Sequence, residues 1–180
     1  MSELRETRLS KAKLLIDKGF QAYSEKFVVP HSSKFLIDNY DYLENGQEFN
    51  LDVSIAGRIV AKRIMGKIAF FSIRDQDGLI QLYLEKTIIN KDLETSAKRL
   101  SFEDLKEFTD IGDWIGVHGT LKKTNKGELS IKVHIWEMLS KALQPLPDKW
   151  HGLTDIEKRY RQRYLDLIVN PQSKNVFKIR

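Results

Sequence analysis

The sequence changes period at Leu51, and that change restricts the fold more than any other feature. Leu51, Val53 and Ile55 alternate with Asp52 and Ser54, the two-residue repeat of a half-buried strand. Gly57 interrupts the run, as expected at a bulge or barrel corner. Residues 68–74 and 79–84 flank the turn sequence Asp75-Gln76-Asp77-Gly78 and predict a hairpin. Ser101-Phe102-Glu103-Asp104 carries a capping signal for a short helix. Residues 114–121 and 129–135 flank Asn125-Lys126-Gly127 and predict a second hairpin.

Three strands, a helix and two strands is the element order of a five-stranded Greek-key barrel of the OB type, whose open face binds oligonucleotides. The expected class is mainly β with flanking helices (α+β). Residues 2 to 18 read as a helix capped by Ser2 and closed by Gly19, with Leu9, Ala12 and Ile16 on one face. Its exposed side is expected to carry Arg5, Arg8, Lys11, Lys13 and Lys18, either as a solvated face or as a basic arm touching RNA. Residues 20 to 50 show no period beyond a short helix expected around Lys34 to Tyr42. Residues 1–50 are thus an N-terminal helix and irregular extension, and 51–140 the barrel.

Beyond the barrel, Pro145 and Pro147 stiffen a connector. Thr154 followed by Glu157 predicts a capped helix, and Ile156, Tyr160, Tyr164 and Ile168 at spacing four predict one apolar face, stopped by Asn170-Pro171. Residues 141–172 are read as hinge and connector helix. Residues 173–180 start a further helix that meets no stop signal, so the chain is expected to be the front of a longer protein. From Lys141 to Arg163 six basic residues face three acidic ones, a balance that suits a phosphate backbone or a solvated helix face.

Composition excludes several chemistries. The chain has no cysteine, so disulfides and thiolate zinc sites are ruled out. Its four histidines are scattered without ligand spacing, and no metal site is expected. Gly66-Lys67 lacks the rest of a phosphate-binding loop, Asp75 and Asp77 belong to turn chemistry, and no catalytic residue is expected. No apolar run approaches the length of about 18 residues needed to cross a bilayer, so no membrane partner and a cytoplasmic location are expected. The net charge of +5 is too modest to argue for a polyanion partner by itself.

Strand alternation locates the functional surface. Ala69, Phe71 and Ile73, with Ile80, Leu82 and Leu84, define the core side of the first hairpin. Phe70, Gln81 and Tyr83 then fall together on the outer face, with Phe70 opposite Tyr83 if Arg74 pairs with Leu79. Aromatic rings beneath splayed bases and polar groups at base edges are what single-stranded RNA requires. The alternative is that another element, such as the N-terminal helix, covers Phe70. The loop Lys62–Lys67 adds Lys62, Arg63 and Lys67 beside the ring, and Glu128 follows the second hairpin turn. Lys62, Lys67, Arg159, Arg161 and Arg163 are candidates for weaker contacts to an RNA backbone.

Residues 53–58 (VSIAGR), 62–67 (KRIMGK), 77–83 (DGLIQLY), 126–130 (KGELS) and above all the hinge from Leu143 to Ile168 resemble bacterial-type class II lysyl-tRNA synthetases. The resemblance implies an anticodon-binding barrel for lysine tRNA. It assigns stacking on the middle uracil to Phe70, contacts to that base's edge to Arg63 and Gln81, and an anticodon contact to Glu128, with Tyr83 a neighbour. It also implies a homodimeric parent enzyme using ATP and Mg²⁺ at sites beyond Arg180. These 180 residues are then expected to be monomeric, to bind tRNA weakly and to catalyse nothing. Two other readings stay open: a stand-alone barrel for single-stranded RNA, and a protein-interaction module using the same face.

Overall fold

A computed structural model of the chain describes residues 3–91, 93, 98–147 and 153–179. The expected cap Ser2, the 148–152 stretch of the hinge and Arg180 lie outside the described residues. The chain divides into two units, Met1–Gln144 and Pro145–Arg180.

Five strands close the barrel of the first unit: β1 (Glu48–Met65), β2 (Ile68–Arg74), β3 (Leu79–Glu85), β4 (Trp114–Lys123) and β5 (Leu129–Ser140). Around the barrel the order is β1-β2-β3-β5-β4, with β4 returning to β1. All pairings are antiparallel except β3 with β5, which is parallel. That parallel pair requires a crossover, supplied by α3 (Lys86–Ile89), α4 (Phe102–Phe108) and β4. Alternate residues fill the interior: Val53, Ile55, Phe71, Ile73, Leu82, Leu84, Ile131 and Val133 are all buried. Each such side chain contributes about 1.5–3 kcal/mol by leaving water.

Helix α4 closes one region of the core with Phe102, Leu105 and Phe108. Its start is the expected capping box: Ser101 Oγ accepts from the Asp104 amide at 3.0 Å, and the Asp104 carboxylate accepts from the Ser101 amide at 2.9 Å. The bulge expected at Gly57 lies instead between Ile59 and Ala61. Gly57 is needed for close strand approach, because a Cβ there would sit 3.0 Å from the Arg74 carbonyl oxygen. Residues 20–31, aperiodic in sequence, lie along the barrel. Ala22 and Ser24 bond to β5 and its exit, and the Phe27 ring lies where a side chain on Gly116 would be. Helix α2 (Ser33–Tyr40) is capped by Ser32, whose hydroxyl accepts from the Phe35 amide.

Helix α1 (Glu3–Asp17) packs on a different face from the one expected. Leu9 and Ile16 are 40% and 54% exposed, whereas Arg8, Ala12 and Leu15 are buried. The cause is polar. Arg8 donates to the carbonyls of Ala142 at 2.8 Å, Gln144 at 3.2 Å and Ile111 at 3.3 Å, and Lys11 pairs with Asp110 at 2.7 Å. Part of the supposed basic arm is therefore spent on holding the helix to the barrel.

These contacts surround a buried ion cluster. Lys141 and Asp113 have side chains with 0% exposure, and their charged groups meet at 2.6 Å. The Lys141 ammonium also donates to Asp110 and, at 2.9 Å, to the Phe108 carbonyl. Asp113 further accepts from the amides of Asp110 at 2.7 Å and Ala142 at 2.8 Å.

In the second unit, α5 (Ile156–Arg161) is capped by Asp155 rather than Thr154, with Asp155 accepting from the Lys158 amide at 2.9 Å. The single connector helix is broken at Gln162 into α5 and α6 (Arg163–Val169), followed by α7 (Pro171–Ile179). Ile156, Tyr160 and Tyr164 are exposed, so the expected apolar stripe is not what organises it. The organising group is the buried Asp166 carboxylate, which accepts from Arg159, Arg163, Asn170 and Ser173. Burial pushes the Asp166 carboxyl up, but those bonds outweigh it and hold it at about 2.

Two outcomes follow from the ion cluster. Lys141→Met would leave Asp113 buried beside no cation, and urea denaturation should show a loss of about 3–5 kcal/mol; a loss below 1 kcal/mol would contradict the assignment. Burial raises the Asp110 carboxyl, yet bonds from Lys11 and Lys141 bring it below its ordinary 3.8. The unfolded chain then takes up that proton at higher pH than the folded one, so this contribution is complete above 3.8 and is lost as pH falls through the folded value. Acid denaturation of Asp110→Asn should accordingly show a shallower pH dependence than the native chain.

Candidate nucleic-acid interface

Register carries the outer face across the whole barrel. Arg63 on β1 pairs with Phe70 on β2, Phe70 with Tyr83 on β3, Tyr83 with Lys132 on β5, and Lys132 with Thr120 on β4. The adjacent rung runs Ala61, Ser72, Gln81, Ser130, Lys122 and back to Glu48 on β1. Paired residues point to the same side of a sheet. Arg63, Phe70, Gln81 and Tyr83 therefore stand together, in the hairpin register expected from the four-residue turn.

Phe70, Tyr83 and Gln81 each have a defined support on this face. The rings of Phe70 and Tyr83 meet edge to face with centroids 5.6 Å apart. Tyr83 donates its hydroxyl proton to Glu85 at 2.9 Å. Burial and that carboxylate push the Tyr83 hydroxyl up to about 12. Gln81 Nε2 donates to Ser130 Oγ at 2.9 Å, and Ser130 in turn donates to the Glu128 carbonyl at 3.2 Å. This ties Gln81 to the segment bearing Glu128, whose side chain is exposed at the foot of β5.

Strand alternation separates the cations near Phe70. Residues 62–65 belong to β1 rather than to a loop; the turn is Gly66-Lys67, with Gly66 at φ 61° and Lys67 exposed. Arg63 stands beside Phe70, whereas Lys62 lies on the opposite side of β1, in a groove with Arg8, Ile64, Thr109, Asp110 and Ile111. All three protons of the Lys62 ammonium are used, on the carbonyls of Lys106 and Thr109 and on Thr109 Oγ1. Burial pushes the Lys62 ammonium down to about 8. It is a strut between β1 and the end of α4.

Helix α1 makes its polar contacts on that same opposite side, with Asp110, Ile111, Asp104 and the exit of β5. In the second unit, Arg159 donates to Asp166 at 2.8 Å and to Ser173 at 2.9 Å. Arg163 binds Asp166 and stacks over Tyr160 and Phe177. Arg161 is exposed and paired with Glu157.

The structure adds residues that sequence reasoning missed. Lys122, Lys132 and Glu48 share the face, with Lys122 Nζ 4.6 Å from the Tyr83 ring centre. Alternation in β4 and β5 marks both lysines as outward. Only the pairing of β3 with β5 places them beside Tyr83.

Within this closed five-stranded barrel, residues 53–139 match the OB-fold nucleic acid binding domain family. Over its full length the chain is 74% identical to a lysine–tRNA ligase of Prochlorococcus marinus subsp. pastoris and 73% identical to that of strain MIT 9301. Identity to the lysine–tRNA ligase of strain MIT 9211 is 53%, again across 100% of the chain. The chain spans 35–36% of the length of these relatives. Residues 53–139 are thus similar to OB-fold nucleic acid binding domains, and the whole chain is similar to part of lysine–tRNA ligases.

Among the described residues, no helix is long and apolar enough to cross a membrane, and no group of three or more acidic or histidine side chains could hold a metal. The Tyr83 environment can be checked directly. With ring-labelled tyrosine, NMR titration should find the Tyr83 resonance moving near pH 12, and Glu85→Gln should bring it down. A midpoint near 10 in the native chain would mean that the burial and the hydrogen bond do not hold in solution.

Proposed function

We propose that this chain is the anticodon-reading portion of a lysine–tRNA ligase and that it recognises the anticodon loop of lysine tRNA. The observation that carries the reading is the rung Arg63–Phe70–Tyr83, flanked by Gln81 held on Ser130. In the proposed complex the middle uracil lies on the Phe70 ring. Tyr83 braces that ring at its edge, and the long Arg63 side chain reaches the base from the neighbouring strand. Gln81 keeps one amide N–H and its carbonyl oxygen for the base edge, matching the acceptor and donor positions of uracil. Glu128 meets a neighbouring anticodon base.

Lysine activation with ATP and Mg²⁺, and acylation of the tRNA, are assigned to the remaining part of the parent enzyme, which we take to be a cytoplasmic homodimer. The 180 residues themselves bind and do not acylate. Support comes from similarity of the whole chain to about a third of the length of lysine–tRNA ligases, together with a face that strand alternation identifies independently.

The test is binding of the chain to a lysine-tRNA anticodon stem-loop, to the same loop with its middle uracil replaced, and to both with Phe70→Ala. A stacked base contributes about 1–3 kcal/mol. The substitution should therefore weaken uracil-loop binding by about 5- to 150-fold and erase the preference between the loops. Equal binding of both loops by the native chain would reduce the barrel to a general RNA binder. No binding would favour a protein-interaction surface.

A further inference from the structure

Two lysines on the candidate face converge on one carboxylate. Lys122 Nζ lies 3.0 Å from one oxygen of Glu48, and Lys132 Nζ lies 2.6 Å from the other. The lysines come from neighbouring strands: Lys132 is the partner of Tyr83, and Lys122 lies against the Tyr83 ring. Glu48 enters from the first residue of β1 and is still half exposed, so the cluster opens to solvent. A carboxylate with one ammonium on each oxygen has the donor arrangement that two non-bridging oxygens of a phosphodiester would meet.

Among the other charged groups nearby, Glu85 accepts hydrogen bonds from Tyr83 and Thr87 and interacts with both lysines only through space, while Asp52, Lys91 and His134 lie within electrostatic range. Nucleic-acid backbones bind where cations can be neutralised by phosphate, and Lys122 Nζ lies 4.6 Å from the Tyr83 ring centre, itself 5.6 Å from that of Phe70. We propose that Lys122 and Lys132 form a phosphodiester subsite beside the Phe70–Tyr83 pair, and that Glu48 fills it until an RNA phosphate displaces its carboxylate. In the free protein Glu48 keeps the two ammonium groups in position and suppresses unselective attraction of polyanions. In the complex it swings aside, and both lysines turn to the backbone. The inference rests on the RNA-binding reading and adds a site to it.

The experiment measures stem-loop binding between 50 and 200 mM salt for the native chain, Glu48→Gln, Glu44→Gln as an exposed-carboxylate control, and Lys122→Met/Lys132→Met with and without Glu48→Gln. Glu48→Gln should bind roughly fivefold tighter at low salt, the scale of one partly exposed ion pair. Replacing both lysines by methionine should make the log-affinity against log-salt slope shallower by about 0.7, one phosphate no longer being neutralised. Glu44→Gln should match the native chain, and Glu48→Gln should have no effect once both lysines are methionine. A slope unchanged by replacing both lysines, or weaker binding by Glu48→Gln, overturns the proposal.

A parallel titration of Glu48→Gln with inorganic phosphate should give only weak lysine NMR shifts; saturation by phosphate without tighter RNA binding would make this a free-anion site and overturn the RNA assignment. The two readings fail separately. Absence of a uracil preference together with a shallower slope in the double-lysine variant sinks only the anticodon reading. A Phe70-dependent preference with an unchanged slope sinks only the subsite, and absence of RNA binding by both proteins sinks both.

Discussion

The placement of the candidate face depends on the buried ammonium of Lys141. A cation with no solvent contact is tolerable only if its charge is matched and its protons are used, and Asp113, Asp110 and the Phe108 carbonyl do both. In satisfying Lys141, the chain joins the end of α4, the entry to β4 and the exit of β5 at one point. Lys11 reaches the same Asp110, and Arg8 takes the carbonyls just beyond Lys141, which pulls α1 to that corner. The N-terminal helix is thereby committed to the side of β1 bearing Lys62 and Ile64. The Arg63 side is left to Phe70 and Tyr83, which answers whether α1 covers the candidate stacking ring.

Local sequence carried the hairpin well because two short-range rules acted together. A four-residue Asp-Gln-Asp-Gly turn fixes the register, and period-two alternation then fixes the faces, so the Phe70–Tyr83 and Ser72–Gln81 pairs could be placed from residues alone. The α4 capping box was legible for the same reason. What failed were inferences that treated charge as a sign of exposure. Arg8 is buried because backbone carbonyls at a strand exit accept its protons, and no helical period can report that. The connector reading failed similarly: Tyr160 and Tyr164 have the spacing of an apolar stripe, but Asp166 collects the bonds that bend the segment at Gln162.

The contribution of the distant strands was illegible in principle. Parallel pairing of β3 with β5 joins residues almost fifty positions apart, and no turn between them sets the register. Lys132 and Lys122 looked like ordinary outward residues of a second hairpin, and Glu48 preceded the first recognised strand residue. Only closure of the barrel makes them neighbours of Tyr83. Lys62 and Arg63 show the converse error, since adjacent cations read as one basic loop have opposite surroundings once they stand in a strand. One is a half-buried strut with a depressed pKa, and the other stands exposed beside Phe70.

This division bears on how such a face could select one base. Stacking on Phe70 is tolerant, because every base offers a flat ring surface. Choice must come from groups at the base edge, and an edge group discriminates only if it cannot turn to suit a different base. Gln81 meets that condition through Ser130, which is itself buried and anchored to the Glu128 carbonyl. Ser130 stands opposite Gln81 solely because β5 runs parallel to β3. The Phe70–Tyr83 pair is thus a product of local hairpin rules, whereas the anchoring of Gln81 comes from the long-range crossover that closes the barrel.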